Sequence, residues 1–193
     1  LTCKEKVERD SRGKEHPSGV VKWYEEIFDQ DGELVAMATI LTLVQKKSPF
    51  PTITKSYLQG KLNALAESTQ PKWGKMTAQH LVEHMEFFTQ MALGNIETEI
   101  TTPEKYMEKT QDSLWDYRSM LKEFDHPALK KGEVEDLRFG NLEEAKDAFW
   151  KAYEALEIWF KEYPKGTVKN TVFGWLTKYE FQLLNRKHWA HHL

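Results

Sequence analysis

The chain changes its hydrophobic rhythm once, near residue 50. Before that point apolar residues follow strand-like runs with a period of two. After it they recur at helical spacing. Residues 2–9 and 20–28 predict two strands, and residues 10–19, rich in Gly, Ser and Pro, predict the loop between them. Asp31-Gly32 predicts a tight hairpin turn, since glycine accepts the positive φ such a turn needs. Residues 34–44 predict a long third strand with Leu34, Ala36, Ala38 and Ile40 on one face and Val35, Met37, Leu41 and Leu43 on the other. A strand that is apolar on both faces needs cover on both sides. A three-stranded meander cannot supply it, so the cover must come from a fuller domain, from the helical part, or from a second copy of the chain.

Ser48-Pro-Phe-Pro51 predicts a linker (residues 48–51), and five helical segments follow. The first is expected over residues 52–67. The second begins at Thr77 as N-cap and reaches about residue 93. The third starts with Pro103 at its first position and runs to Phe124. The fourth opens on Asn141, with Glu144 placed for a capping box, and ends at Tyr163 before Pro164 and Gly166. Its stripe is Leu142, Ala145, Phe149, Ala152, Leu156, Trp159 and Tyr163. The fifth starts at Thr177, again with a glutamate at the third position (Glu180), and runs to the end. The expected fold is therefore mainly α: a four-helix bundle, with up to five helical segments over residues 52–193, behind a short antiparallel β meander over residues 1–47.

Charged residues form 30% of the chain and the net charge is −3, which excludes the strongly basic footprint of a nucleic-acid binder. No apolar run approaches the roughly 20 residues that span a bilayer, so no membrane partner is expected. The single cysteine, Cys3, cannot close an internal disulfide, which suits the reducing cytoplasm. The chain opens inside a predicted strand and closes inside a predicted helix, so both ends read as cuts in a longer protein.

Five of the seven histidines fall in two short runs, His80 and His84, then His188, His191 and His192. Residues four apart share a helix face, so His188 and His192 can address one ion. Both lie on the stripe of Phe181 and Leu184, and His191 lies further round. In the second helix the core stripe is Leu81, Met85, Phe88 and Ala92. At about 100° per residue, His84 stands about 60° from its centre and His80 about 100° away. His84 therefore faces inward and His80 sits at the rim. Three neutral imidazoles with further positions open to water are a familiar catalytic metal geometry, and their softness favours zinc, nickel or iron. Core or surface histidines with ordinary hydrogen bonds are the plain alternative, and spacing alone does not separate the two.

The stretches WGKMTAQHLVEHM (Trp73 to Met85), FGWLTKYEF (Phe173 to Phe181) and HWAHHL (His188 to Leu193) together resemble the DUF1569 branch of the DinB-like superfamily. The resemblance covers about residues 52–193. It implies a four-helix bundle that often binds a divalent metal, with His84 on the helix after the Trp-Gly-Lys-Met-Thr stretch and His188 and His192 as the first and last members of the terminal cluster. It implies thiol-transfer or hydrolytic chemistry in some members and no assigned activity in many. The family usually continues past the last histidine with a polar segment that includes a glutamine, and that segment would fall beyond Leu193.

His80-Leu-Val-Glu83-His84 also fits the inverted zinc-peptidase pattern H-x-x-E-H, with Glu157 or Glu162 as the distant acidic ligand. Such peptidases need a larger α/β domain, and this reading leaves the C-terminal histidines unexplained. Residues 20–47 resemble the closing strands of a MaoC-like hot-dog domain, in which an Asn/Asp-Gln-x-Gly-Glu-Leu-Val turn, here Asp29 to Val35, joins the last two strands. The catalytic aspartate and histidine of such domains have no counterpart here, and His16 is misplaced to replace them, so hydratase activity is not expected of this chain alone. The order of hot-dog tail, linker and bundle resembles the C-terminal end of PaaZ-type phenylacetate-degradation proteins. That implies upstream aldehyde dehydrogenase and hydratase domains as partners, beside self-association through the N-terminal strands.

Of the remaining residues, Trp73, Trp115, Trp150, Trp159, Trp175 and Trp189 read mainly as core packing, with Trp189 beside a candidate ligand. Glu83 reads as a solvated helix residue, Lys130-Lys131 as an exposed loop, and His126 as part of a helix-ending turn.

Overall fold

The computed structural model describes residues 2–7, 18–45, 48–122 and 134–193. His16, His126, Lys130-Lys131, the expected end of the third helix at Phe124 and most of the first expected loop lie outside them. The described residues form five helices and two small antiparallel sheets, a mixed α and β composition. The chain divides into two compact units, Leu1–Pro49 with Trp115–Tyr117, and Phe50–Leu114 with Arg118–Leu193.

The first unit holds β1 (Thr2–Val7), β2 (Ser18–Phe28) and β3 (Leu34–Gln45), paired antiparallel in that order. The β2–β3 turn forms for identifiable reasons. Gly32 takes φ +82°, and the Asp29 carboxylate accepts the backbone N–H groups of Asp31 at 3.0 Å and Glu33 at 2.9 Å. The β3 side chains expected to need cover remain open: Leu34, Val35, Met37, Leu41 and Leu43 are each half or more exposed.

In the second unit, α1 (Lys55–Asn63), α2 (Ala78–Ala92), α4 (Leu142–Glu162) and α5 (Lys178–His192) share one apolar cluster, built on Leu58, Leu62, Val82, Met85, Phe149 and Trp189. A second cluster joins Ala92, Leu156, Phe160, Leu176, Phe181 and Leu184. The local signals for the three long helices act as sequence chemistry dictates. Asn141 accepts the Glu144 N–H at 2.9 Å to start α4. The Glu144 carboxylate reaches back to the Gly140 N–H rather than to that of Asn141. Thr177 and Glu180 form a reciprocal capping box at α5. The α4 stripe is buried as expected, except that Trp159 is half-buried and Tyr163 is exposed while Phe160 takes the inner position.

Three expectations are corrected. The first helix starts later than residue 52, because Thr54 serves as N-cap and accepts the Tyr57 N–H, and it ends earlier, at Asn63 rather than at 67. The third, α3 (Glu104–Asp112), is less than half its expected length, and Pro103 is its N-cap rather than its first residue. Its end is set by tertiary contacts. Lys187 takes the Ser113 carbonyl, which a longer helix would need for its own ladder, and the Ser113 hydroxyl donates to Thr110 O at 2.6 Å. Trp115, expected inside that helix and in the core, is exposed and lies beyond it.

The third correction is a hairpin, β4 (Thr167–Asn170) and β5 (Gly174–Thr177), where no strand was expected. Each strand has four residues, too few to display a period. Val168 and Leu176 are buried and Trp175 faces out, so Trp175 is not a core residue either. The Asn170 side chain closes the turn by accepting the N–H groups of Val172 and Phe173, both at 2.9 Å, and Gly174 takes φ +69°. The hairpin delivers Thr177 to the start of α5. No helix among the described residues is long and apolar enough to cross a membrane.

Candidate metal centre

The site is assembled from two helices. α2 is buried around most of its circumference, with Leu81, Val82, Met85 and Phe88 inside, which fixes the direction in which His84 points. On α5, Phe181, Leu184 and His188 are buried on one face and His192 continues it at the last turn. The two faces meet, and His84, His188 and His192 each offer a ring nitrogen within 4.8 Å of the others. This cluster can hold a metal ion. The Nε2 atoms of His84 and His188 are 2.9 Å apart, so one ring donates a proton that the other accepts. The three ring centroids lie 4.8 to 5.0 Å from one another.

Two aromatic rings flank the cluster. Phe88, one turn after His84, meets the His84 ring edge-on at 4.7 Å and the His188 ring at 5.1 Å. Trp73 stacks on His192 with centroids 5.9 Å apart and planes 19° apart. Burial pushes the His192 imidazole down to about 4, helped by the neighbouring His191. At neutral pH that ring is uncharged, as a metal ligand must be. Burial also lowers His191, with the Lys122 charge acting in the same direction. His191 is outside the cluster; its ring lies 4.4 Å from Trp73.

His80 is turned away from the cluster. Its Nδ1 stands 2.6 Å from the Thr77 hydroxyl and completes the capping box at the start of α2. Glu83 is not solvated, contrary to expectation: it is 5% exposed. Its carboxylate accepts from Arg138 N at 2.6 Å, Phe139 N at 3.3 Å and Gln79 Nε2 at 2.9 Å. Glu86, also buried, has Oε2 2.7 Å from the Arg138 guanidinium, an ion pair without hydrogen-bond alignment. Glu157 is exposed and paired with Lys178 at 3.7 Å, and Glu162 is exposed. The arrangement that H-x-x-E-H peptidases require, with both histidines on one ion and the glutamate free to act as base, is therefore not formed.

Among the described residues the histidine cluster includes no carboxylate or thiolate. Trp189 is packed into the core against Phe149, with centroids 5.6 Å apart, and is not a wall of the site. Two residues around the site were read only as core. Phe88 carries a signal, being four residues from His84 on the same helix. Trp73 opens the stretch that carries the resemblance, but nothing in the sequence places it beside partners more than a hundred residues away. Compared with models of known families, with characterised proteins and with solved structures, the chain matches none.

Proposed function

We propose that residues 52–193 form a DinB-like bundle that binds one divalent metal ion through His84, His188 and His192. The convergence of these three imidazoles from two helices carries the reading, and the motif resemblance supports it. An all-imidazole donor set suits zinc, nickel or iron better than magnesium or calcium. Three nitrogens around a tetrahedral ion at about 2.0–2.1 Å stand about 3.4 Å from one another, so rotations moving each nitrogen by about 1 Å or less would seat it. Three protein ligands leave coordination positions for water or substrate. When bound, the ion would supply Lewis acidity, lowering the pKa of a water or thiol held there. Phe88 and Trp73 would limit water around the site and orient the rings. With Glu83 committed to Arg138, Phe139 and Gln79, water rather than a carboxylate of the cluster would be the base. The proposed chemistry is thiol transfer or hydrolysis.

The test is elemental analysis of untagged protein purified without added metal, beside His188→Ala. About one zinc, nickel or iron per chain, lost in the variant, supports the proposal. No metal in a folded wild-type protein refutes it.

Two observations favour a second reading, a non-catalytic accessory or oligomerisation module; that it would serve a CoA-pathway enzyme of the phenylacetate-degradation kind rests on the sequence resemblance alone. His84 and His188 already satisfy one another without an ion, and β3 presents exposed apolar residues that a second copy or an upstream domain would cover.

A further inference from the structure

Of the three candidate ligands, His192 stands in the last turn of α5 and is met there by a residue from outside the helix. Trp73, from the segment between α1 and α2, meets this turn in three ways. Its indole Nε1 donates to the His191 carbonyl at 3.0 Å, its ring stacks on His192, and its ring packs against His191. The backbone is shaped for this: Gly74 takes φ +72° directly after Trp73, a left-handed turn that a side chain would strain, and Thr77 starts α2 three residues later. The approach to the helix carrying His84 is thus also the brace for the turn carrying His192.

We propose that Trp73 is a positioning residue for His192, holding the third ligand in place through its ring stack and its bond to the His191 carbonyl. This inference rests on the metal reading above. Trp73 is not one of the three candidate ligands; it would act through His192.

The experiment compares wild type, Trp73→Ala, Trp73→Phe, His192→Ala and the two double variants, each checked for folding by circular dichroism and titrated with cobalt(II) by visible absorption. Outer contacts to metal ligands are worth about 10- to 100-fold in affinity. Trp73→Ala should weaken cobalt binding by about that factor, with a band shifted toward that of His192→Ala. Trp73→Phe, which keeps a ring but loses the N–H, should fall between. In the His192→Ala background neither change should matter further, because the ligand being positioned is gone. A merely structural role would weaken both backgrounds equally, and that outcome overturns the proposal, as does wild-type affinity in Trp73→Ala. Should Trp73→Ala not fold, the Trp73→Phe cycle decides in the same way. If folded wild type takes up no cobalt, the metal reading fails, and the metal-free protein decides positioning. There, the His192 ring-proton shifts should move in Trp73→Phe; unchanged shifts overturn the brace as well.

Discussion

Replacing Arg138 with methionine keeps much of the side-chain stem but removes a cation that faces two buried carboxylates. The Arg138 guanidinium lies 2.7 Å from Glu86 and 3.5 Å from Glu83, and donates to the Glu83 backbone carbonyl at 2.7 Å. The carboxylate side chains are 4% and 6% exposed, whereas that of Arg138 is 41% exposed. Removing one partner of a fully buried pair costs about 3–5 kcal/mol. Glu83 would keep two backbone N–H donors and Gln79, and the arginine is partly open to water, so the loss should be about 2–3 kcal/mol, carried mostly by Glu86. For a chain of this size that lowers Tm by about 4–12 °C. Urea unfolding followed by circular dichroism measures it. Adding Glu86→Gln removes the stranded charge and should restore at least half of the loss. A loss under about 1 kcal/mol, or a Glu86→Gln change that adds to the damage, would refute the view that Arg138 neutralises this pair.

The lowered His192 gives stability a defined pH dependence. Its folded value of about 4 lies below the ordinary 6.5, so between these values the unfolded chain binds a proton that the folded site refuses. The contribution is full above about pH 6.5 and is lost as pH falls toward 4. Urea midpoints at pH 7.5, 6 and 5 should fall more steeply in wild type than in His192→Gln, and parallel curves would contradict the assignment. On β3, Leu41→Lys with Leu43→Lys places two charges among exposed apolar side chains. If that strand mediates self-association, sedimentation should show a smaller species than wild type, and an unchanged distribution argues against it.

Where a feature depended on residues within a turn or two of each other, the sequence carried it. Thr77, Asn141 and Thr177 announce helix starts because N-caps act over three residues, and the four-residue spacing of His188 and His192 places both on one face. The placement of His84 followed from its angle to Leu81, Met85 and Phe88. The misses depend on distant partners. Glu83 looks like any surface glutamate until residues 138 and 139 bring it N–H groups. α3 stops where Lys187, more than seventy residues away, takes the Ser113 carbonyl. The β4–β5 hairpin is too short for periodicity, although Asn170 and Gly174 mark its turn. Trp73 could be placed against His192 only once the end of α5 was seen beside the approach to α2.

The proposed site brings three imidazoles from α2 and α5 onto one ion. Metal-edge X-ray absorption on the protein loaded with its co-purifying metal, or with zinc, counts those ligands directly. Three imidazole nitrogens at about 2.0–2.1 Å are expected, falling to two in His84→Ala and in His192→Ala. A first shell made of oxygen or sulfur, or one unchanged in both variants, would place the metal away from His84, His188 and His192.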